Sequence, residues 1–146
     1  MSSIPVPVLP QGISFCDQSK IVTQEIMTLR EKVGWAVEDN VVWQQCIGQS
    51  LAVVGACDEN NRLIGIGFLT GSIRHAVLCD LTVAPEFHNK GIGTAILYKR
   101  LIIANELNIR YIYTDLAKTN PLGSTYIKLG FEKTGSGLFR DATKLS

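Results

Sequence analysis

The residues whose types could do chemistry gather in one run, Leu81-Thr82-Val83-Ala84-Pro85-Glu86-Phe87-His88-Asn89-Lys90-Gly91-Ile92-Gly93-Thr94. An apolar strand is stopped by Pro85, a short polar loop follows, and a helix begins at the two glycines. A helix start offers N–H groups without intrahelical acceptors, together with the positive end of the helix dipole. Glycine lets a bulky phosphate approach that backbone, and Lys90 adds a positive charge at its mouth. The run therefore suits a phosphate or pyrophosphate. An ordinary glycine-rich strand-to-helix turn would match G-x-G alone equally well. Two familiar nucleotide loops are excluded. Ile96 stands where the dinucleotide fingerprint needs its third glycine, and no Gly-Lys-Ser/Thr follows for a P-loop.

Asp80 is the second point of interest. It interrupts the apolar run Val77-Leu78-Cys79-Asp80-Leu81. A carboxylate there is costly unless it is paired or functional. Both a proton acceptor and a partnered structural aspartate near the strand's open end fit the sequence. His75 and His88 lie beside turns or loops and read as surface or structural residues. Cys79 has no histidine at a spacing that would make it a nucleophile. With two histidines and no C-x-x-C pair, no metal site is expected.

The run from Val83 to Gly93 resembles the acetyl-CoA-binding motif of the GNAT superfamily of N-acetyltransferases, V-x-P-x-x-Q/R-x-x-G-x-G/A. Val83, Pro85, Gly91 and Gly93 match in register, and His88 stands where Gln or Arg is usual. About thirty-five residues downstream, Tyr126, Gly130 and Phe131 match a second motif, N…Y-x-x-x-G-F, in register. Asn120 stands one residue nearer to the tyrosine than the family spacing. The resemblance covers Arg62 to Phe131. It implies an α/β fold with a mixed, mostly antiparallel central sheet flanked by helices, and acetyl-CoA as cosubstrate. It also implies that main-chain amides from His88 to Thr94 (His88, Asn89, Lys90, Gly91, Ile92, Gly93, Thr94) bind the pyrophosphate. Leu81, Thr82 and Val83 would pair with the pantetheine arm like an added strand, and Asn120 would contact the pantetheine or the acceptor.

Acetyl transfer to an amine needs a neutral amine, a donor for the developing oxyanion and a proton for the departing thiolate. A thiol of the CoA type has a pKa of about 8.5 and a phenol about 10, so tyrosine is protonated at neutral pH and can donate. The resemblance assigns that role to Tyr126; from its helical stripe with Leu122 and Leu129 alone it would be a core aromatic. Asp80 is the matching candidate for the base, directly or through water. Trp35, Glu38, Asp39 and Trp43 could hold a cationic amine, or could equally be a core tryptophan and a helix cap.

These residues need elements to carry them. Ser19 to Lys32 has helical spacing, with Ser19 as N-cap. Asp39 or Asn40 caps a second helix through Ile47. Leu51–Cys57 and Arg62–Thr70 form a hairpin around Asp58-Glu59-Asn60-Asn61, and Ala76–Val83 is a third long strand. Gly91–Leu107 is a helix with Ile92, Ile96, Ile103 and Leu107 along one apolar stripe. It returns to a strand, Ile109–Thr114, that can lie parallel to the previous one. Asn120-Pro121 starts a last helix that Gly130 ends. Phe131–Thr134 and Leu138–Arg140 are expected to close the sheet as a hairpin.

The chain has 146 residues, 46% of them hydrophobic, and a formal net charge of +1. Residues 13–146 read as one domain behind an extended lead-in of residues 1–12. Without a basic stripe, no nucleic acid is expected; without a long apolar run, no membrane span is expected. The four cysteines read as free thiols in a reducing cytoplasm. The expected partner is a small-molecule amine, and a homodimer stays open. A protein-acetylating enzyme and a non-catalytic acyl-CoA-binding module are the alternatives.

Overall fold

The computed structural model describes residues 5–114 and 123–134. Contacts divide the chain into two units, Met1–Asp115 and Leu116–Ser146, each taken by itself below.

The first unit is a five-stranded sheet in the order β1-β2-β3-β4-β5. Its strands are β1 (Ser14–Phe15), β2 (Ala52–Cys57), β3 (Leu63–Gly71), β4 (His75–Val83) and β5 (Tyr111–Thr114). β1 to β4 pair antiparallel and β5 runs parallel to β4. The helices are α1 (Thr23–Lys32), α2 (Asn40–Gln49) and α3 (Ile92–Glu106). This is the mixed, mostly antiparallel α/β architecture expected from the sequence.

β2 and β3 are buried on both faces because helices cover both. Such strands read as continuous apolar runs rather than alternating ones. On one face Val53, Ile66 and Phe68 pack with Ile26, Leu29 and Trp43 of α1 and α2. On the other, Val54, Ala56 and Ile64 pack with Ile92 and Ile96 of α3. Gly65 and Gly67 let α3 come close. A Cβ on Gly67 would lie 2.9 Å from both Ile96 Cγ2 and Arg100 Cζ. At the β2–β3 turn the Asp58 carboxylate accepts the N–H groups of Asn60 (2.9 Å) and Arg62 (3.0 Å). The Arg62 amide is the first cause holding its carboxyl below the usual range.

Several sequence expectations are corrected. The first long helix starts at Thr23, not Ser19. Asp17 takes both the N–H and the hydroxyl of Ser19, which closes a separate 3-10 turn over Gln18–Lys20. Asp39, rather than Asn40, caps α2 by accepting from Val41 and Val42 N–H. Leu107 falls just past α3 and is exposed, so the apolar stripe ends before it. Cys16 and Cys57 are not free thiols: they form a disulfide between the β1 edge and the end of β2. This removes the support that four free thiols lent to a reducing compartment. No helix among the described residues is long and apolar enough to cross a membrane.

In the second unit α4 spans Gly123–Lys128. Gly130 takes φ +90° and its N–H meets Ile127 O, while Phe131 N–H reaches back to Tyr126 O, each at 3.1 Å. That pair of bonds is a Schellman cap, which demands a left-handed residue where Gly130 stands. Phe131–Thr134 forms no strand; a ladder needs a partner, and the expected one, Leu138–Arg140, lies outside the described residues. So do Asn120 and Pro121.

Candidate active site

β4 is irregular where chemistry was expected. Phe68 pairs with Cys79 but Ile66 pairs with Thr82, so β4 carries one residue more than β3 across this step. The extra residue is accommodated at Asp80, whose φ is +54°. Bulges of this kind bend a strand and re-aim it. Aspartate tolerates the left-handed region better than most residues. Thr82 is buried and its hydroxyl donates to Asp80 O at 3.3 Å, which closes the bulge locally. The described pairing with β5 ends at Leu78. Leu81, Thr82 and Val83 follow the bulge and lead directly into the loop.

The loop itself has the predicted form. Pro85–Phe87 is a single 3-10 turn, and α3 starts behind Gly91. Asn89 (φ +61°) and Gly91 (φ +79°) both take the left-handed conformation. Successive turns of this type point backbone N–H groups into one concavity that suits an anion. The first capping bond of α3, Ala95 N–H to Gly91 O, comes after Ile92, Gly93 and Thr94. Those three amides stand at the helix start, where no intrahelical acceptor exists. A Cβ placed on Gly91 would meet nothing within 4 Å, so the approach to the loop is open. The glycine is required by its backbone angle rather than by a neighbour. His88 is exposed, and its ring bonds back to the strand it follows. Its Nε2 lies 2.6 Å from Val83 O and must donate to it, so it ties the loop back to the end of β4. Lys90 Nζ lies over the Phe87 ring at 5.5 Å.

Asp80 has a partner. Its Oδ1 accepts from Arg30 Nη1 at 3.1 Å, and its side chain is 42% exposed against 12% for Arg30. Of the two readings left open by the sequence, this contact supports the partnered structural aspartate. Arg30 lies over Trp43 (4.9 Å) and Trp35 (5.3 Å) and donates from Nε to Ala36 O at 2.8 Å. Of the four residues offered for an acceptor, Trp43 is core and Asp39 is a cap; Trp35 and Glu38 remain exposed. Cys79 lies 3.7 Å from Thr70 Oγ1. Burial is the main cause pushing its thiol up, which keeps it protonated and a poor nucleophile.

Sequence reasoning missed two arginines. Arg100 is 1% exposed and donates from Nη1 to Phe68 O (2.9 Å) and Cys79 O (3.5 Å), gripping the bulge from the α3 face. A charge at helical spacing between Leu97 and Ala104, within an apolar stripe, was the signal. Arg30 gave none, because its partners come from three separate segments, the α1–α2 loop, α2 and β4.

In the second unit, Tyr126 is buried and its ring meets that of Phe131 edge-on at 5.4 Å. Tyr126 and Phe131 are the two positions that a Schellman cap brings into apolar contact. The Y-x-x-x-G-F spacing is thus a device that fixes the tyrosine ring.

The model of the acetyltransferase (GNAT) domain matches residues 33–133. No curated protein matches significantly. A protein of unknown function from methicillin-resistant Staphylococcus aureus has the same fold, with a TM-score of 0.74 at 19% identity, over 88% of this chain and 98% of its own. A GNAT-family acetyltransferase from Streptococcus pneumoniae gives a TM-score of 0.72 at 20% identity, over 89% and 98%. The ribosomal-protein-S18-alanine N-acetyltransferase of Escherichia coli gives 0.69 at 14% identity, over 84% and 78%. With a domain model spanning most of its length and these folds around it, the chain belongs to the GNAT acetyltransferases.

Proposed function

We propose that this protein is an N-acetyltransferase that moves an acetyl group from acetyl-CoA directly to a primary amine of a small molecule. The observation that carries the reading is the left-handed turn at Asn89 and Gly91 at the head of α3. Amides from His88 to Thr94 would hold the pyrophosphate there, and Leu81, Thr82 and Val83 would offer strand-like pairing to the pantetheine arm. Acetyl-CoA supplies the acyl group as an activated thioester. Tyr126 would give its phenolic proton to the departing thiolate, and Asn120 would contact the pantetheine or acceptor.

Gly91→Val tests the cradle. A left-handed β-branched residue costs about 1–2 kcal/mol, and its side chain occupies the approach that Gly91 leaves open. CoA affinity by calorimetry is expected to fall about tenfold or more, with a cooperative thermal transition retained. Unchanged affinity removes the loop from the site, and no CoA binding by the parent protein removes the acetyl-CoA reading.

The acceptor rests on different grounds. A net charge of +1 offers no field for a polyanion. On the α1–α2 loop Trp35 and Glu38 are exposed, and Trp35 packs on Arg30, whose guanidinium reaches the bulge at Asp80. Trp35 can cover an apolar amine body while Glu38 draws its ammonium. The likeness to the enzyme that acts on a ribosomal-protein alanine is one of fold alone. Small arylalkylamines and polyamines should be offered beside lysine-containing and free-N-terminal peptides. The small amines are expected to give the higher kcat/KM. Peptides preferred by about tenfold or more would establish the protein-acetylating alternative, and thiol release with neither would establish the binding module.

A further inference from the structure

The α1–α2 loop, residues 33–39, has no secondary structure of its own, yet it is tied to the strand bulge by one side chain. Arg30 Nε bonds Ala36 O, Trp35 N–H bonds Arg30 O at 3.0 Å, and the guanidinium lies over both the Trp35 and the Trp43 ring. The same guanidinium reaches Asp80, the left-handed residue of the bulge. A planar guanidinium can stack on aromatic faces and bond in its own plane at once, which an ammonium cannot do. The Arg30 side chain is 12% exposed and that of Asp80 42%, so the pair is partly screened and its geometry rests on the ring and backbone contacts of the guanidinium.

We propose that Arg30 is a positioning residue for the transfer reaction: through Asp80 it locks the Trp35 loop to the bulge that aims Leu81–Val83, so that the acceptor side and the acyl side hold one geometry. This rests on the acetyltransferase reading above. It also gives Asp80 a task other than that of a base. Asp80 anchors the lock from β4, Arg30 from α1, and the left-handed backbone at Asp80 presents the carboxylate to Arg30 while the strand turns toward the loop. Trp35 is then held in place by the same contact that fixes the strand beyond the bulge.

The experiment has two arms. The first is hydrogen exchange, which needs no acceptor. Asp80→Gly keeps the left-handed backbone without strain and removes only the carboxylate. It should speed exchange in residues 33–39 about tenfold or more, and Arg30→Gln should do the same for residues 79–83. The second arm is kinetics with 2-phenylethylamine, with CoA affinity measured by calorimetry. Both variants should lower kcat/KM for the amine about tenfold, while CoA affinity stays within about twofold. The double variant should be no worse than the weaker single, because both remove one contact. Arg30→Lys, which keeps the charge but loses the stack, should fall between the parent and Arg30→Gln and covers the case in which Arg30→Gln does not fold. Unchanged exchange in each segment when the other is altered overturns the proposal. So does a loss of the acidic limb of the pH–rate profile in Asp80→Asn that Arg30→Gln does not share, since Asp80 would then act directly as the base. A parent protein that neither binds CoA nor releases thiol defeats the acetyltransferase reading instead, and the exchange arm still decides the lock.

Discussion

Tyr126→Phe is expected to lower kcat at least about tenfold while the KM for acetyl-CoA changes little. The substitution keeps the ring and removes one proton. The ring is what the fold needs: it packs edge-on against Phe131 across the helix cap, and phenylalanine preserves that contact. Loss of rate therefore reports the hydroxyl rather than the packing. A positioned general acid is typically worth about 100- to 10,000-fold, so even a tenfold loss is a conservative expectation. The measurement is steady-state thiol release under conditions where chemistry, not product release, limits turnover. Unchanged turnover under those conditions removes Tyr126 from the mechanism. A fall in kcat accompanied by a lower thermal midpoint points to the cap instead, and Gly130→Ala, which strains the same cap without touching the hydroxyl, separates the two.

The largest effect on stability is expected at Phe68. Its side chain is 1% exposed, and its ring lies 5.8 Å from that of Trp43. It fills the space between the centre of β3 and the α1–α2 face. Phe68→Ala removes most of that volume from a site closed between the sheet and two packed helices, so little collapse can compensate. A loss of about 3–5 kcal/mol follows from the buried area and the cavity together. For a chain of this size that corresponds to a fall in thermal midpoint of roughly 10 °C or more. Differential scanning calorimetry reads it directly. A fall of only a few degrees would mean that Trp43 and Ile66 repack into the space.

Much of this architecture was legible in the order of residues. The β2–β3 hairpin announced itself through two apolar runs around Asp58-Glu59-Asn60-Asn61, because that turn chemistry is local. The loop between β4 and α3 was legible for the same reason: Pro85 stops the strand and Gly91 takes a left-handed angle, both local demands that neighbours cannot change. What depended on distant partners was not legible. Ser19 looked like a helix cap because nothing nearby revealed that Asp17 would claim its N–H first. Asp80 could be recognised as a residue requiring explanation, but its partner lies fifty positions away on α1. Trp43 and Trp35 are close in sequence and opposite in fate, one core and one exposed, and only the packing of α2 on β3 tells them apart. Cys16 and Cys57 read as separate thiols until β1 pairs with β2 and brings them together.

That cross-link makes a covalent ring of the chain between Cys16 and Cys57, with a sequence separation of 41 residues. The ring contains α1, α2 and the loop between them, and therefore Arg30, Trp35 and Trp43. Closing a loop of this length removes enough freedom from the unfolded chain to stabilise the fold by about 4 kcal/mol in the chain-entropy description. The term acts on the unfolded chain and so stabilises the fold as a whole, while the elements that the ring encloses lie on one face of the sheet. α1 and α2 are tethered at both ends of their segment to neighbouring, cross-linked strands. They return to the sheet as a closed circuit, whereas α3 on the opposite face is held by packing and hydrogen bonds.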